Sequence, residues 1–304
     1  MPPSADAAAP AQLRPAPHAL TAAFPALFVL LWSTGFIAAK YGLPHAPPLT
    51  FLLYRFALVA ALMSVVAVAS RATWPHDMRA IGHVIVAGLL VHGLYLGGVF
   101  VAMAGGMAAG TISMLVGLQP VVTVLLARVW LGERVRLRQW IGLLLGFIGL
   151  WLVVRHKIAF TGDFAGLTPA AIALLGISIG TLYQKRFGSH VDLRAAAVIQ
   201  FSACSLAYCP LALVFESQTV DWTPAFGFAL GWSVLVLSVG AISLLFWLLR
   251  HGAAARVARL FYLVPPVTAL LAYLLFGERL DFIAIAGMAL ITGAVALARP
   301  QGIR

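Results

Sequence analysis

LVGLQPVVTVLLARVWLGERVRLRQWIGLLLGFIGLWLVV (115–154) lies, without a gap, over LFYLVPPVTALLAYLLFGERLDFIAIAGMALITGAVALAR (260–299). Pro120 meets Pro265, Thr123 meets Thr268, Gly132 meets Gly277, and the Glu133-Arg134 pair meets Glu278-Arg279. The same spacing joins Ser33 to Ser178, Gly35 to Gly180 and Lys40 to Lys185. Chance similarity between Leu-rich segments gives scattered matches, not one register held from the start of each half to its end. The chain is therefore read as a duplication.

Each copy is built of apolar runs. Of the 304 residues, 62% are hydrophobic and 10% charged, and the mean hydropathy is +0.99. A soluble fold of this size needs more charged surface. A spanning helix needs roughly 20 apolar residues. The runs 21–41, 49–70, 82–104, 108–131, 138–154, 167–186, 195–215, 225–249, 254–276 and 281–298 predict an all-α integral membrane protein of about ten transmembrane helices. Residues 1–20, rich in Ala and Pro, predict a disordered cytoplasmic tail. The two repeats are expected over 21–156 and 157–299, with 300–304 as a short cytoplasmic C-terminus.

An odd number of helices per copy makes the second copy enter the bilayer from the opposite side. Two inverted five-helix repeats are the expected result, the architecture of many alternating-access carriers. The net charge of +11 raises the question of nucleic acid. The cations do not cluster, however; they sit at the ends of apolar runs. Arg128, Arg134, Arg136, Lys185, Arg186 and Arg250 fall on one side with most of the others, and Lys40, Arg55, Arg155, Lys157 and Arg279 on the other. By the positive-inside rule both termini are cytoplasmic, and a nucleic-acid partner is not expected. Cys204 and Cys209, five residues apart in one run, predict neither a disulfide nor a metal site.

PVVTVLLARVWLGE (120–133) and PPVTALLAYLLFGE (265–278), each a proline followed by an apolar run ending in Gly-Glu, resemble the drug/metabolite transporter superfamily, and its EamA-type branch above all. WSTGFIAAK (32–40) resembles the first-helix motif of that group, and Arg55-Phe56 its second-helix Arg-Phe pair. The resemblance runs from about residue 22 to 298. It implies a carrier of small metabolites, such as amino acids exported across a bacterial inner membrane. The additional Pro266, and Arg256 and Arg259 at the mouth of the ninth run, depart from the pattern.

All nine carboxylates lie in the tail, in links or at helix ends. A membrane-embedded acid, needed to exchange protons for lipophilic cations, is missing, which disfavours a cation or drug antiporter. Glu133 and Glu278 follow glycines that end helices, so a structural role at helix ends is expected, with a gating ion pair as the alternative. His92 lies near a helix midpoint with Tyr95 one turn on, as a substrate contact or proton relay, or as a neutral histidine bonded to a neighbouring helix. Trp32 and Ser33 on the first run, Ser178 on the sixth, and Ser243 and Trp247 on the eighth complete the expected substrate cavity. Lys40 and Lys185, at matched ends of the first and sixth runs, are candidate gating or relay groups. Arg55 is expected to snorkel to the surface, with contact to an anionic substrate the less favoured role.

The leading function is a secondary transporter of small neutral or zwitterionic metabolites, acting as a monomer or homodimer in the lipid bilayer without cofactor or metal. An alternative of another class is an intramembrane hydrolase, because Gly176–Gly180 reads G-x-S-x-G and His92 would serve Ser178 as base. The same glycines satisfy G-x-x-x-G, a helix-packing signal repeated at 93–97, 106–110, 142–146 and 227–231.

Overall fold

The computed structural model describes residues 18–131, 137–161, 166–187, 191–241, 244, 247–248, 260–278 and 282–297. Helices account for its regular structure, and no strand occurs among the described residues. In chain order they are α1 (His18–Gly42), α2 (Pro48–Ala69), α3 (Met78–Ala104), α4 (Ala109–Gly117 continued by Gln119–Leu131), α5 (Leu137–Thr161), α6 (Leu167–Phe187), α7 (Leu193–Phe215), α8 (Pro224–Ala241), α9 (Val264–Phe276) and α10 (Phe282–Leu297). Seven of them, α1 to α4 and α6 to α8, contain a stretch long and apolar enough to cross a membrane. Shorter apolar segments lie in α5, α9 and α10. Large apolar side chains such as Leu206, Phe215, Trp151 and Val129 point outward, as a bilayer allows and water does not.

The repeat is visible in the irregularities. Pro120 has no N–H to give, and α4 breaks just before it at Leu118. In the second half the matching place, ahead of Pro265, is a 3₁₀ turn at Phe261–Leu263. A π segment interrupts α3 at Leu89–Leu94, and another occupies α8 at Trp232–Ala241, covering the matching register. Helix contacts obey the same exchange of halves: α2 packs on α7, α4 on α9 and α5 on α10, while α3 on α6 is mirrored by α8 on α1.

Helix ends follow local chemistry. Asp77 and Thr223 cap α3 and α8, accepting from Arg79 N at 2.9 Å and Phe226 N at 3.2 Å. Gly277 ends α9 in the left-handed conformation (φ 66°), as a Gly at that position permits. Two helices borrow their caps. Glu216, at the end of α7, accepts from Leu49 N (2.8 Å) and Thr50 N (2.7 Å) at the start of α2. Glu278, just past α9, accepts from Ala109 N (3.2 Å) and Gly110 N (3.4 Å) at the start of α4. Carboxylates suit these positive helix ends.

Asp192 caps α7 at the opposite end of the bundle. Its carboxylate accepts from Arg194 N (2.9 Å) and from the Arg194 guanidinium (3.0 and 2.6 Å), and lies 3.3 Å from Thr73 N. The Arg194 side chain, followed by the backbone donors, holds this carboxyl well below the usual carboxylate range. A depressed carboxylate stabilises the fold above its unfolded value of about 4, and that share is lost as pH falls further towards the folded value. Asp192→Ala is expected to cost about 1 kcal/mol, because half-exposed Arg194 is screened by solvent. Thermal unfolding of wild type and variant in detergent at pH 7 and pH 3 checks this: the difference should narrow in acid.

Candidate functional site

A cavity of about 380 Å³ lies between the halves. That is a size for a small molecule. α1 contributes Trp32, Gly35 and Phe36, and α6 contributes Ile177, Thr181 and Gln184. Trp32 matches Ile177 and Phe36 matches Thr181 in the repeat, so both halves present the same helix face. The π segment of α3 brings in His92, with Tyr95 at its end; such segments occur often at functional sites. α7 adds Gln200 and Phe201, α8 adds Ser238, and Phe261 and Pro265 come from the start of the α9 region.

The polar groups are few and specific. His92 Nε2 lies 3.2 Å from Gln200 Oε1, and its ring stacks on Phe201 at 4.3 Å between centroids. Gln119 Nε2 lies 3.3 Å from Thr181 Oγ1. Trp32 stands edge-on to Phe261 at 5.1 Å. Arg55 also lines the cavity at only 7% exposure, so it turns inward rather than snorkelling to the surface.

The cavity reaches the end of the bundle at the start of α7, where Leu193 and Gln184 line it, and extends to Phe36, Arg55 and Phe100 towards the opposite end. At the opposite end Lys40 pairs with Glu278, and the Lys40 ammonium stands over the Phe276 ring at 4.7 Å. Glu278 thus both caps α4 and pairs with a lysine. Glu133 and Ser243 lie outside the described residues. Lys185 is exposed.

Three expected cavity residues stand elsewhere. Ser33 is fully buried one position off the lining face; its hydroxyl donates back to Val29 O at 2.7 Å and lies 3.3 Å from Val264 O, tying α1 to α9. Ser178 is fully buried and its hydroxyl has no hydrogen-bond partner. It makes no contact with the imidazole of His92, so the nucleophile–base pair of a hydrolase is absent. Trp247 packs edge-on against Phe24 at 4.5 Å and is not part of the lining. Sequence reasoning missed Gln119, Gln184 and Gln200. An available signal was that each is a polar residue inside an otherwise apolar run.

Among the packing glycines, Gly176 and Gly180 press α6 against α3 at Leu90–Tyr95. A Cβ built at Gly227 or Gly231 would meet nothing within 4 Å, so that pair marks no close helix approach among the described residues.

A bundle of apolar helices around a buried, mostly apolar cavity, duplicated in sequence and in contacts, defines a membrane transport protein. The EamA-like transporter family model matches residues 20–155 and again 164–299. The chain belongs to that family. Over 289 residues it is 27% identical to the uncharacterized transporter YvbV of Bacillus subtilis, covering 92% of each chain. It is 26% identical over 276 residues to the uncharacterized inner membrane transporter YedA of Escherichia coli K12, covering 90% of this chain and 89% of that one. It is also 26% identical over 279 residues to a probable amino-acid metabolite efflux pump of the same organism, covering 87% and 90%. A solved structure titled "Crystal structure of protein" shares the fold with a TM-score of 0.61 at 20% identity, covering 90% of this chain and 95% of that one. The protein is a multi-pass membrane transporter, not an enzyme.

Proposed function

We propose that the protein exports small amphipathic metabolites of the amino-acid type by alternating access, through ten crossings arranged as two inverted repeats over 21–156 and 157–299, with both termini cytoplasmic. One observation carries this reading: a cavity between matched helix faces reaches one end of the bundle, while an ion pair, Lys40–Glu278, closes the other. The repeat supplies the counterpart. Lys185 stands where Lys40 stands, and Glu133 where Glu278 stands, at the opposite end. Forming one pair while parting the other converts an inward-open cavity into an outward-open one. With the cation-rich ends inside, the present state opens to the cytoplasm. The absence of a carboxylate among the described lining residues counts against exchange of lipophilic cations.

Counterflow in proteoliposomes against amino acids and aromatic metabolites tests the reading. Trp32→Ala, which removes a cavity wall, is expected to raise the half-saturation concentration about tenfold. Trp247→Ala, in the packing against Phe24, leaves it within about twofold. Equal effects of the two substitutions, or no counterflow of any compound, overturn the proposal.

A further inference from the structure

Arg55 is the one charged residue of the described cavity lining. It sits seven residues past Pro48, about 10 Å along α2. Its Nε is buried without a hydrogen-bond partner, and no ion pair joins its guanidinium to any described residue. Tyr95 and His92, which share the lining, are the titratable groups that interact with its charge. A guanidinium keeps its charge in proteins, and a buried charge is costly unless it is paired and hydrogen-bonded. No neighbour relieves that cost. Glu216 is held by the start of α2, and Glu278 by Lys40 and the start of α4. The other carboxylates lie in links, in the tail or at helix ends.

On the transporter reading above, we propose that the missing counter-charge arrives with the cargo: Arg55 anchors a carboxylate on the transported molecule. The guanidinium fork matches a carboxylate in two parallel hydrogen bonds, which fixes orientation as well as charge. The rest of the lining selects what the carboxylate is attached to. Trp32, Phe36, Phe100 and Phe261 offer aromatic walls for an apolar body. A phosphate or dicarboxylate calls for further cations, and Lys40 is already paired with Glu278. A cation is repelled. The cargo class is thus a small monocarboxylate with an aromatic or branched aliphatic body. The carboxylate is common to simple acids and zwitterionic amino acids, whereas the uncharged cargo admitted by the sequence lacks it.

The test uses the purified full chain, with 3-phenylpropanoate, phenylalanine, 4-methylpentanoate and leucine, each beside its carboxamide. Binding is read by ligand-induced thermal stabilisation and transport by counterflow. Acids are expected to bind about 10- to 100-fold more tightly than their amides. A preference for the simple acids over the amino acids, or the reverse, assigns the source of the carboxylate. In Arg55→Gln the preference for acid over amide disappears. In Arg55→Lys, which keeps the charge and loses the fork, part of it remains. The proposal is overturned if amides bind as well as acids, if no acid binds, or if Arg55→Gln discriminates like wild type. The wild-type comparison of acids with amides stands even where a variant fails to fold. Acid-selective binding without counterflow defeats the transport reading and leaves Arg55 as the anchor. Counterflow blind to the carboxylate defeats the anchor alone.

Discussion

Lys40→Glu is expected to slow exchange at least tenfold and to open the end of the bundle that Glu278 closes. The substitution sets two carboxylates against each other where an ion pair stands. The side chains are 33% and 11% exposed, so the pair lies between a surface bridge and a buried one. A change of about 2 kcal/mol is the corresponding scale, equivalent to about 30-fold in the balance between open and closed states. Glu278→Gln should act in the same direction and more weakly, because the single amide oxygen still accepts from Ala109 N, while the bond from Gly110 N to the other carboxylate oxygen is lost. The exchanged pair Lys40→Glu with Glu278→Lys restores only part of the activity. It returns the attraction but places a cation at the positive end of α4. A cysteine introduced as Phe36→Cys, with Cys209→Ser removing the exposed native thiol, reads the opening by its labelling rate from outside the cell. Unaltered exchange together with unaltered labelling rules out a gating role for this pair.

The legible parts of the sequence were those whose chemistry acts locally. Proline gives up a helix hydrogen bond, which α1 and α7 absorb at Pro25 and Pro210, and a glycine before Glu278 ends α9 by its own backbone freedom. The breaks before Pro120 and Pro265 fall at matched positions of the duplicated register, inside runs 108–131 and 254–276 whose apolarity alone suggests unbroken helices. Face assignment was harder. Trp32, Ser33 and Ser178 were placed together, yet Trp32 lines the cavity while both serines sit one position away, about 100° around their helices. Trp247 was placed by uniform α-helical spacing from Ser243 to Arg250. That spacing relates Trp247 to its helix neighbours and not to the cavity, and the side chain packs on Phe24 of α1. Arg55 was assigned to the surface because it is near a helix end. α2 is apolar along its length, so nothing in its own sequence says which way residue 55 turns; the packing of α2 on α7 decides it.

Gly98→Leu is expected to prevent stable assembly, with no monodisperse protein recovered in mild detergent. A Cβ at Gly98 would stand 2.3 Å from Pro169 O and 2.8 Å from Ala173 N. Both are backbone atoms of the α6 segment, so no side-chain rotation relieves the clash. In a bilayer, lipid tails compete with apolar side chains on equal terms, and close approach at small residues holds helices together. Gly180 sets the same seam from α6, where a Cβ would lie 2.7 Å from the Val91 side chain and 3.1 Å from Val91 N. Leucine at position 98 must therefore part α3 from α6, at a cost of about 3 kcal/mol or more. The consequence reaches the site, because this seam fixes the π segment that carries His92 into the cavity. Gly227→Leu is the control: it carries the G-x-x-x-G signal that Gly98 lacks, yet its Cβ would meet nothing within 4 Å. Gel filtration and thermal unfolding of the two variants should separate them. If Gly98→Leu elutes and unfolds as Gly227→Leu does, the α3–α6 seam does not hold the bundle together, and the position of His92 must be fixed by its contacts with Gln200 and Phe201 on α7 instead.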